Sequence, residues 1–278
     1  MRTHPAACLF FASLFFLGGC DGPSSPARSE VGSPPAQPSG ALSAPQQGGT
    51  GASPSSSKVD VGPAKVDAID LYTGGAAAGD KVPLVIAIHG LGDRPDAFRG
   101  LFDGFAGRAH FVIPAGGLAW GEGYSWWPIV GKIDESNIVP GLSAAADRLA
   151  DAIRTWSGNT AGKPIVTGFS QGGMLSFALA ARHPTLIGEA IPISGLEPPS
   201  FIPAAWPAGA PRIVALHGEA DSRVPFAIAA SGVEKLRAAG AQVEWKTYPG
   251  VGHTITADMR RDLFAALTAA IERAAASK

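Results

Sequence analysis

The chain has 278 residues and almost no net charge, with 22 basic side chains against 23 acidic ones. That balance excludes the strongly basic surface typical of nucleic-acid-binding proteins, and the length suits one large domain with additional segments. Cys8 and Cys20 are the two cysteines, and both lie in the first twenty residues. The remainder of the sequence therefore offers no disulfide and no thiolate metal site.

The first 19 residues are predicted to be a lipoprotein signal peptide. Arg2 precedes an uncharged apolar run over 6–19, which is shorter than the roughly 20 residues that a membrane-spanning helix needs. The run ends in Leu17-Gly18-Gly19-Cys20, which resembles a bacterial lipobox. This resemblance implies cleavage before Cys20, lipidation of Cys20, and anchoring in the bacterial cell envelope, facing the periplasm or the exterior. An ordinary signal peptide with an incidental cysteine is the alternative.

Residues 20–58 differ sharply in composition from the rest of the chain. Pro, Ser, Gly, Ala and Gln dominate, and the large apolar side chains are almost limited to Val31 and Leu42. Such a segment cannot bury enough apolar surface to offset the entropy of ordering it. We expect a disordered tether over 20–58, followed by a catalytic domain over 59–278.

From residue 59 onward, short apolar runs alternate with helical patterns. Runs that are apolar on both faces are typical of parallel strands covered by helices. The pattern therefore predicts an α/β fold with a mostly parallel central sheet and helices on both faces, and a strand nearer the edge at 243–248, where polar and apolar residues alternate. Strands are expected at 82–88, 111–114, 165–169, 190–194, 213–216 and 243–248, and helical stripes run through 142–156, 171–182 and 259–271.

Ser170 is the candidate nucleophile. It lies in Gly168-Phe169-Ser170-Gln171-Gly172, a G-x-S-x-G motif between a predicted buried strand and a predicted buried helix. A serine on such a turn is held at the carboxyl end of the sheet with its hydroxyl presented outward. A glycine-rich turn with a spectator serine is the alternative.

His253 is the candidate base, because a serine hydroxyl needs a neighbouring group to take its proton. It lies in a glycine-rich loop between the last predicted strand and the last predicted helix. His89 and His217 each end a buried strand before a glycine, which favours structural hydrogen bonding. His110 opens a strand and His183 ends a helix.

Asp221 is the candidate acid that orients the base. In this kind of site the acid comes between the serine and the histidine in the chain. Glu219 and Asp221 both follow a predicted buried strand, so Glu219 remains an alternative. The two N–H groups of an oxyanion hole are assigned to Gln171, directly after the serine, and to Leu91, in the loop after an early strand.

These segments together resemble the phospholipase/carboxylesterase family of the α/β-hydrolase fold, which includes acyl-protein thioesterases. The resemblance implies a serine hydrolase (EC 3.1.1.-) for carboxylic esters or thioesters that needs no metal and no cofactor. The preferred function is hydrolysis of short to medium acyl esters, as in a carboxylesterase or lysophospholipase, and the resemblance itself does not imply the acyl preference. The matching segments are HGLGD at 89–93, GFSQGGMLS at 168–176, LHGEADSRVP at 216–225 and YPGVGHTI at 248–255.

The chain departs from that family pattern over 116–140, where a long loop is expected. Aromatic side chains there could form an apolar wall for the acyl or alcohol part of a substrate, or could simply pack the loop. The residues in question are Trp120, Tyr124, Trp126 and Trp127.

Two other functions stay open at this point. One is a secreted depolymerase or feruloyl-type esterase, for which the sequence shows no carbohydrate- or polyester-binding module. The other is a non-catalytic binding domain on a lipid anchor, against which the complete set of serine, acid and histidine argues. The expected partners are a small-molecule or lipid ester and, through the lipid anchor, a membrane, but no nucleic acid.

Overall fold

The computed structural model describes residues 66–128 and 134–277. The predicted signal peptide, Cys20 and the tether over 20–58 lie outside the described residues, as does the predicted start of the domain at 59.

A seven-stranded sheet forms the centre of the described part. Its strands are β1 (Ala68–Thr73), β2 (Leu84–Ile88), β3 (Ala109–Pro114), β6 (Ile165–Phe169), β7 (Glu189–Ile193), β8 (Arg212–Gly218) and β9 (Val243–Tyr248). A separate hairpin pairs β4 (Leu118–Trp120) with β5 (Gly123–Ser125). The order in the sheet is β1-β3-β2-β6-β7-β8-β9. Neighbouring strands run parallel throughout, except that β1 is antiparallel to β3. The pattern over 243–248 predicted a strand near an edge, and β9 is the edge strand.

Helices cover both faces of the sheet, as the sequence predicted. Successive side chains of a strand point to opposite faces, so β2 supplies Leu84 and Ile86 to one core and Val85 and Ala87 to the other. The first core is closed by α2 (Glu135–Trp156), α3 (Gln171–Arg182) and α4 (Phe226–Ala238), and the second by α1 (Pro95–Phe98) and α5 (Ala257–Ala276). Among the described residues, no helix has the length and apolar character needed to cross a membrane.

The described parts of 116–140 are more regular than the predicted loop. They contain the β4–β5 hairpin, and α2 already begins at Glu135, so that Pro140 lies inside the helix. Asp134 sets the start of α2, because its side chain accepts a hydrogen bond from the N–H of Asn137. This N-cap stabilises a first turn that the proline would otherwise weaken. Strand β2 is shorter than expected and begins at Leu84.

Candidate active site

Ser170 occupies a strained turn between β6 and α3. Its backbone has φ 57° and ψ −114°, a conformation that residues with a side chain adopt only where the surrounding structure enforces it. The glycines on either side permit this turn. A Cβ on Gly172 would collide with the carbonyl oxygen of Ile88, and one on Gly168 would collide with the backbone of Gly172. The motif therefore lets α3 start directly against β2 and β6.

The structure brings Ser170, His253 and Asp221 together in a continuous hydrogen-bonded chain. His253 Nε2 lies 2.9 Å from Ser170 Oγ, and His253 Nδ1 lies 2.7 Å from Asp221 Oδ2. A carboxylate only accepts hydrogen bonds, so Nδ1 carries the proton and Nε2 is free to accept the serine proton. These are the distances and atoms that a serine–histidine–acid triad requires.

The Asp221 carboxylate keeps its charge although it is buried. Burial raises its pKa, but hydrogen bonds from His253 and from the N–H of Val224 outweigh burial and leave the pKa below its ordinary value. Asp221 Oδ1 accepts from the N–H groups of Arg223 at 3.0 Å and Val224 at 2.9 Å. The acid is thus fixed by its own loop and faces the imidazole with its other oxygen.

Glu219, the alternative acid, is placed elsewhere. Its Oε1 accepts a hydrogen bond from Thr247 Oγ1 at 2.7 Å, on an exposed part of the surface. The geometry therefore selects Asp221 over Glu219 as the partner of His253.

Each remaining described histidine is engaged in another contact. His89 Nδ1 lies 2.7 Å from the Gly90 carbonyl, and burial lowers the pKa of His89. The structural role expected of His89 matches this geometry. The other contacts join His110 to Asp70, His183 to Asp147, and His217 to the carbonyl of Val224.

The proposed oxyanion donors, Leu91 and Gln171, follow β2 and Ser170 respectively. Neither backbone N–H donates a hydrogen bond to any residue that the structure describes, as a donor reserved for a substrate oxygen requires. Gly90 packs against the serine turn, since a Cβ there would lie 3.5 Å from Ser170 Cβ. The loop that carries Leu91 therefore lies beside the nucleophile.

The β4–β5 hairpin is fastened to this oxyanion loop. The N–H of Gly92 donates to the Tyr124 carbonyl at 2.8 Å, and the N–H of Tyr124 donates to the Asp93 carbonyl at 3.0 Å. The N–H of Gly116 donates to His89 Nε2 at 3.0 Å. The hairpin thus extends the loop that holds one of the oxyanion donors.

Burial divides the four aromatic residues into two pairs. Trp120 and Tyr124 are 45% and 36% exposed, whereas Trp126 and Trp127 are each 3% exposed. Trp126 Nε1 donates to the His89 carbonyl at 2.9 Å, and Trp127 packs so closely on α2 that a Cβ on Gly141 would collide with it. The prediction of a substrate wall is therefore corrected for Trp126 and Trp127, which have the packing role left open for these aromatics.

The side chain of Gln171 has a role that the sequence did not suggest. Its Oε1 accepts from the N–H of Trp126 at 3.0 Å, and its Nε2 donates to Ser125 Oγ at 3.2 Å. The residue that follows the nucleophile therefore also anchors the end of the hairpin. No sequence signal indicates this role, because the two residues that the side chain contacts are 45 and 46 positions away in the chain.

A sequence model of the family described as Phospholipase/Carboxylesterase matches residues 76–271. The chain belongs to this family. The match covers Ser170, Asp221 and His253, together with the oxyanion loop. It is a family of ester hydrolases, and the fold described above is the one that its members share.

Individual proteins similar to this chain carry names that fit the family. A rice (Oryza sativa subsp. japonica) protein named probable inactive carboxylesterase is 29% identical over 195 residues, which is 62% of this chain and 78% of the relative. Acyl-protein thioesterase 1 of Gibberella zeae is 25% identical over 202 residues, covering 64% of this chain and 86% of the relative. One relative is thus named inactive, so membership alone does not establish catalysis.

Solved structures show the same fold. The crystal structure of esterase PE8 matches with a TM-score of 0.64 and 26% identity, covering 73% of this chain and 98% of that one. The acyl-protein thioesterase 2 of Zea mays matches with a TM-score of 0.59 and 20% identity, covering 74% of this chain and 99% of that one. At 20% identity the second match supports the fold alone.

Proposed function

We propose that this protein is a serine carboxylic-ester hydrolase that works through an acyl-enzyme on short to medium acyl esters. The observation that carries the proposal is the position of His253, with Nε2 2.9 Å from Ser170 Oγ and Nδ1 2.7 Å from Asp221 Oδ2. A binding domain without catalysis has no need of this arrangement, which also includes a strained serine backbone.

In the first half of the reaction, Ser170 Oγ attacks the ester carbonyl carbon while His253 Nε2 takes the hydroxyl proton. Asp221 stabilises the imidazolium that forms and holds the ring in the correct tautomer. The carbonyl oxygen becomes an oxyanion, which the N–H groups of Leu91 and Gln171 would bind. Each such donor contributes about 10² to 10³ in rate.

In the second half, His253 returns the proton to the leaving alcohol and the acyl group remains on Ser170. A water molecule then attacks the acyl carbon, giving its proton to Nε2, and the acid product leaves as Ser170 is restored. Both halves use the same base and the same oxyanion donors, so the chain supplies all the groups that the cycle requires.

The substrate preference is proposed to depend on the hairpin beside the site. Trp120 lies over the oxyanion loop, since a Cβ on Gly92 would be 3.4 Å from its ring. Exposed rings at this position would narrow the space for an acyl chain. We propose on this basis that short and medium chains are favoured over long ones.

We also propose that the protein acts at the bacterial cell envelope, held by lipid on Cys20. The support for this is the sequence Leu17-Gly18-Gly19-Cys20 after an uncharged apolar run. Several acyl chains on one cysteine would anchor stably, because each buried methylene contributes about 0.8 kcal/mol.

The decisive experiment combines active-site labelling with a substrate panel. We expect a fluorophosphonate probe to label the protein, and nitrophenyl esters of increasing chain length to be hydrolysed. Ser170→Ala and His253→Ala should each lower kcat by about 10⁴-fold or more, and the double variant should be little worse because the residues act together. Ser231→Ala, on the exposed surface of α4, is the matched control.

The same panel separates the alternatives. Absence of both labelling and hydrolysis in the folded protein would favour the non-catalytic binding domain. Hydrolysis confined to feruloyl or polymeric esters would instead favour the depolymerase or feruloyl-type esterase.

A further inference from the structure

A second histidine contacts the Asp221 carboxylate. His217 is on β8, four residues before Asp221, and both side chains are fully buried. His217 Nε2 lies 2.9 Å from the Val224 carbonyl oxygen and 3.5 Å from Asp221 Oδ2. The carboxylate thus has His253 and His217 as neighbours, although only His253 has a role in the proposed reaction.

The contact with Val224 determines the tautomer of His217. A carbonyl oxygen only accepts hydrogen bonds, so Nε2 carries the hydrogen and Nδ1 is bare in the neutral ring. Nδ1 is buried and makes no direct hydrogen bond among the described residues, and the backbone of Gly195 is a second polar neighbour of the ring. The Nε2–H is therefore the donor of the ring, and its acceptor is the carbonyl oxygen of Val224.

The Nε2–H of His217 donates a hydrogen bond to the loop that carries Asp221. Asp221 Oδ1 accepts from the N–H of Val224, and the carbonyl of the same residue accepts from His217. Val224 is therefore held from both sides, by the acid and by the end of β8. The rings of Phe226 and Trp245 pack at centroid distances of 6.0 and 5.6 Å from the imidazole.

We infer that His217 is a positioning residue, which holds the Asp221 loop through the carbonyl of Val224 so that Asp221 meets His253 in the reactive geometry. This inference rests on the proposed serine-esterase function. Without the bond to Val224, the loop could move and lengthen the contact between Asp221 and His253.

The charges around the ring support a neutral His217. The titratable groups that face it are Asp221 and His253, and its other neighbours are the two aromatic side chains and the backbone of Gly195. Burial lowers the pKa of His217, as does the charge of His253, and the backbone of Val224, the charge of Asp221 and the backbone of Gly195 only partly oppose this effect. His217 therefore contributes an N–H dipole and leaves the negative charge of Asp221 available to the imidazolium that forms on His253.

The test compares His217→Met, which removes the donor, with His217→Gln, whose amide nitrogen can still donate to the Val224 carbonyl. We expect His217→Met to lower kcat about tenfold or more with little change in KM. It should also move the acid limb of the kcat/KM pH profile to lower pH, because a displaced Asp221 stabilises the imidazolium of His253 less. His217→Gln should restore most of kcat. Trp245→Phe, which changes the packing of the same ring, should lower the melting temperature and leave the pH profile in place.

A folded His217→Met variant with wild-type kcat and an unmoved acid limb would overturn the inference, as would an upward shift of that limb. If the variant does not fold, ¹⁵N NMR of histidine in the wild-type protein provides a second test. The expected result is a neutral His217 with an Nε2–H tautomer at neutral pH, and an Nδ1–H tautomer would overturn the inference. Failure of the wild-type protein to show Ser170-dependent hydrolysis would instead count against the proposed function itself.

Discussion

Two buried carboxyl groups of this protein, Asp221 and Glu197, show opposite effects of their surroundings. Asp221 receives hydrogen bonds from His253, Arg223 and Val224, and its pKa is lowered in spite of burial. Neither carboxyl oxygen of Glu197 has a partner among the described residues. Burial raises the pKa of Glu197 well above its ordinary value, and the charge of Arg182 opposes this only in part. Hydrogen bonding therefore decides the direction in which each pKa moves, downward for Asp221 and upward for Glu197.

For the candidate acid, we expect Asp221→Asn to lower kcat roughly 10³- to 10⁴-fold while the protein stays folded, because an amide favours the wrong imidazole tautomer. Glu219→Gln is the matched control and should retain nearly full activity, since Glu219 bonds to Thr247. Steady-state kinetics with circular dichroism provide the measurement. Collapse of activity in Glu219→Gln, with full activity in Asp221→Asn, would transfer the role to Glu219.

For Glu197, the expected effect is on stability and depends on pH. A raised pKa means that Glu197 in the folded state keeps a proton that the unfolded chain releases. The free energy of unfolding of the wild-type protein therefore falls as the pH rises from the pKa of the unfolded state towards that of the folded state, by about 1.4 kcal/mol per pH unit. Glu197→Gln stays neutral throughout. Its free energy of unfolding relative to wild type should therefore increase from pH 5 to pH 9, as urea titrations at several pH values would show. The exposed Glu272→Gln serves as control, and an equal effect of Glu197→Gln at every pH would contradict the prediction.

At the scale of elements, the β4–β5 hairpin connects the two proposed oxyanion donors. It is bonded to the oxyanion loop through Gly92 and Tyr124, and the segment that follows is bonded to the Gln171 side chain through Trp126. Any shift of the hairpin would therefore affect the positions of Leu91 and Gln171 together. The exposed rings of the hairpin are free to contact a substrate.

The two tryptophan environments predict different phenotypes. Trp126→Phe removes the donor to the buried His89 carbonyl, at a cost of about 1–3 kcal/mol in stability, and should lower both the melting temperature and kcat. Trp120→Ala should leave the melting temperature nearly unchanged and shift kcat/KM towards longer acyl chains. A pocket contact is worth only about 1–3 kcal/mol per methylene, so the shift should be graded. An unchanged chain-length profile in Trp120→Ala would exclude that ring from substrate recognition.

At the scale of the whole molecule, the sheet separates two cores, and the candidate catalytic residues lie where its strands end. Ser170 follows β6, Asp221 follows β8 and His253 follows β9, so the three side chains meet at the carboxyl ends of the parallel strands. The antiparallel strand β1 covers the outer side of β3. Strand β1 is also the first element of the described residues, and it comes after the predicted tether in the chain.

This organisation predicts the effect of truncation. A chain without the residues before Lys58 should keep its melting temperature and kcat, because the tether has almost no large apolar side chains to contribute to a core. Removal up to Thr73 also deletes β1 and exposes the edge of β3, and should lower the melting temperature strongly. Loss of activity in the shorter deletion would show that the N-terminal segment takes part in folding or catalysis.

Anchoring is a separate prediction at this scale. Cys20→Ser should prevent lipidation and release the protein from bacterial membranes into the soluble fraction, while Cys8→Ser should leave it bound. Fractionation with mass spectrometry of the mature N-terminus would measure both. A wild-type protein that is soluble and begins at another residue would contradict the lipoprotein prediction.

The sequence by itself determined the features that depend on neighbouring residues. Apolar runs predicted β2, β3, β6, β7 and β8, an alternating pattern predicted β9, and G-x-S-x-G between strand and helix located Ser170, because each of these patterns is local. Strand β1 and the β4–β5 hairpin were not predicted. The family and its fold followed from such segments taken in order, and the comparison with the family model confirmed them.

Only the tertiary structure could decide matters that depend on residues far apart in the chain. Asp221 and Glu219 both follow β8, so the sequence preferred Asp221 but left Glu219 open, and their hydrogen bonds to His253 and Thr247 distinguish them. Trp120 and Trp126 are six residues apart, yet one is exposed and the other buried, since the hairpin pairing and the packing of α2 set their environments. A side chain's neighbours across the fold determine its burial and its hydrogen bonds, and a local pattern carries no information about them.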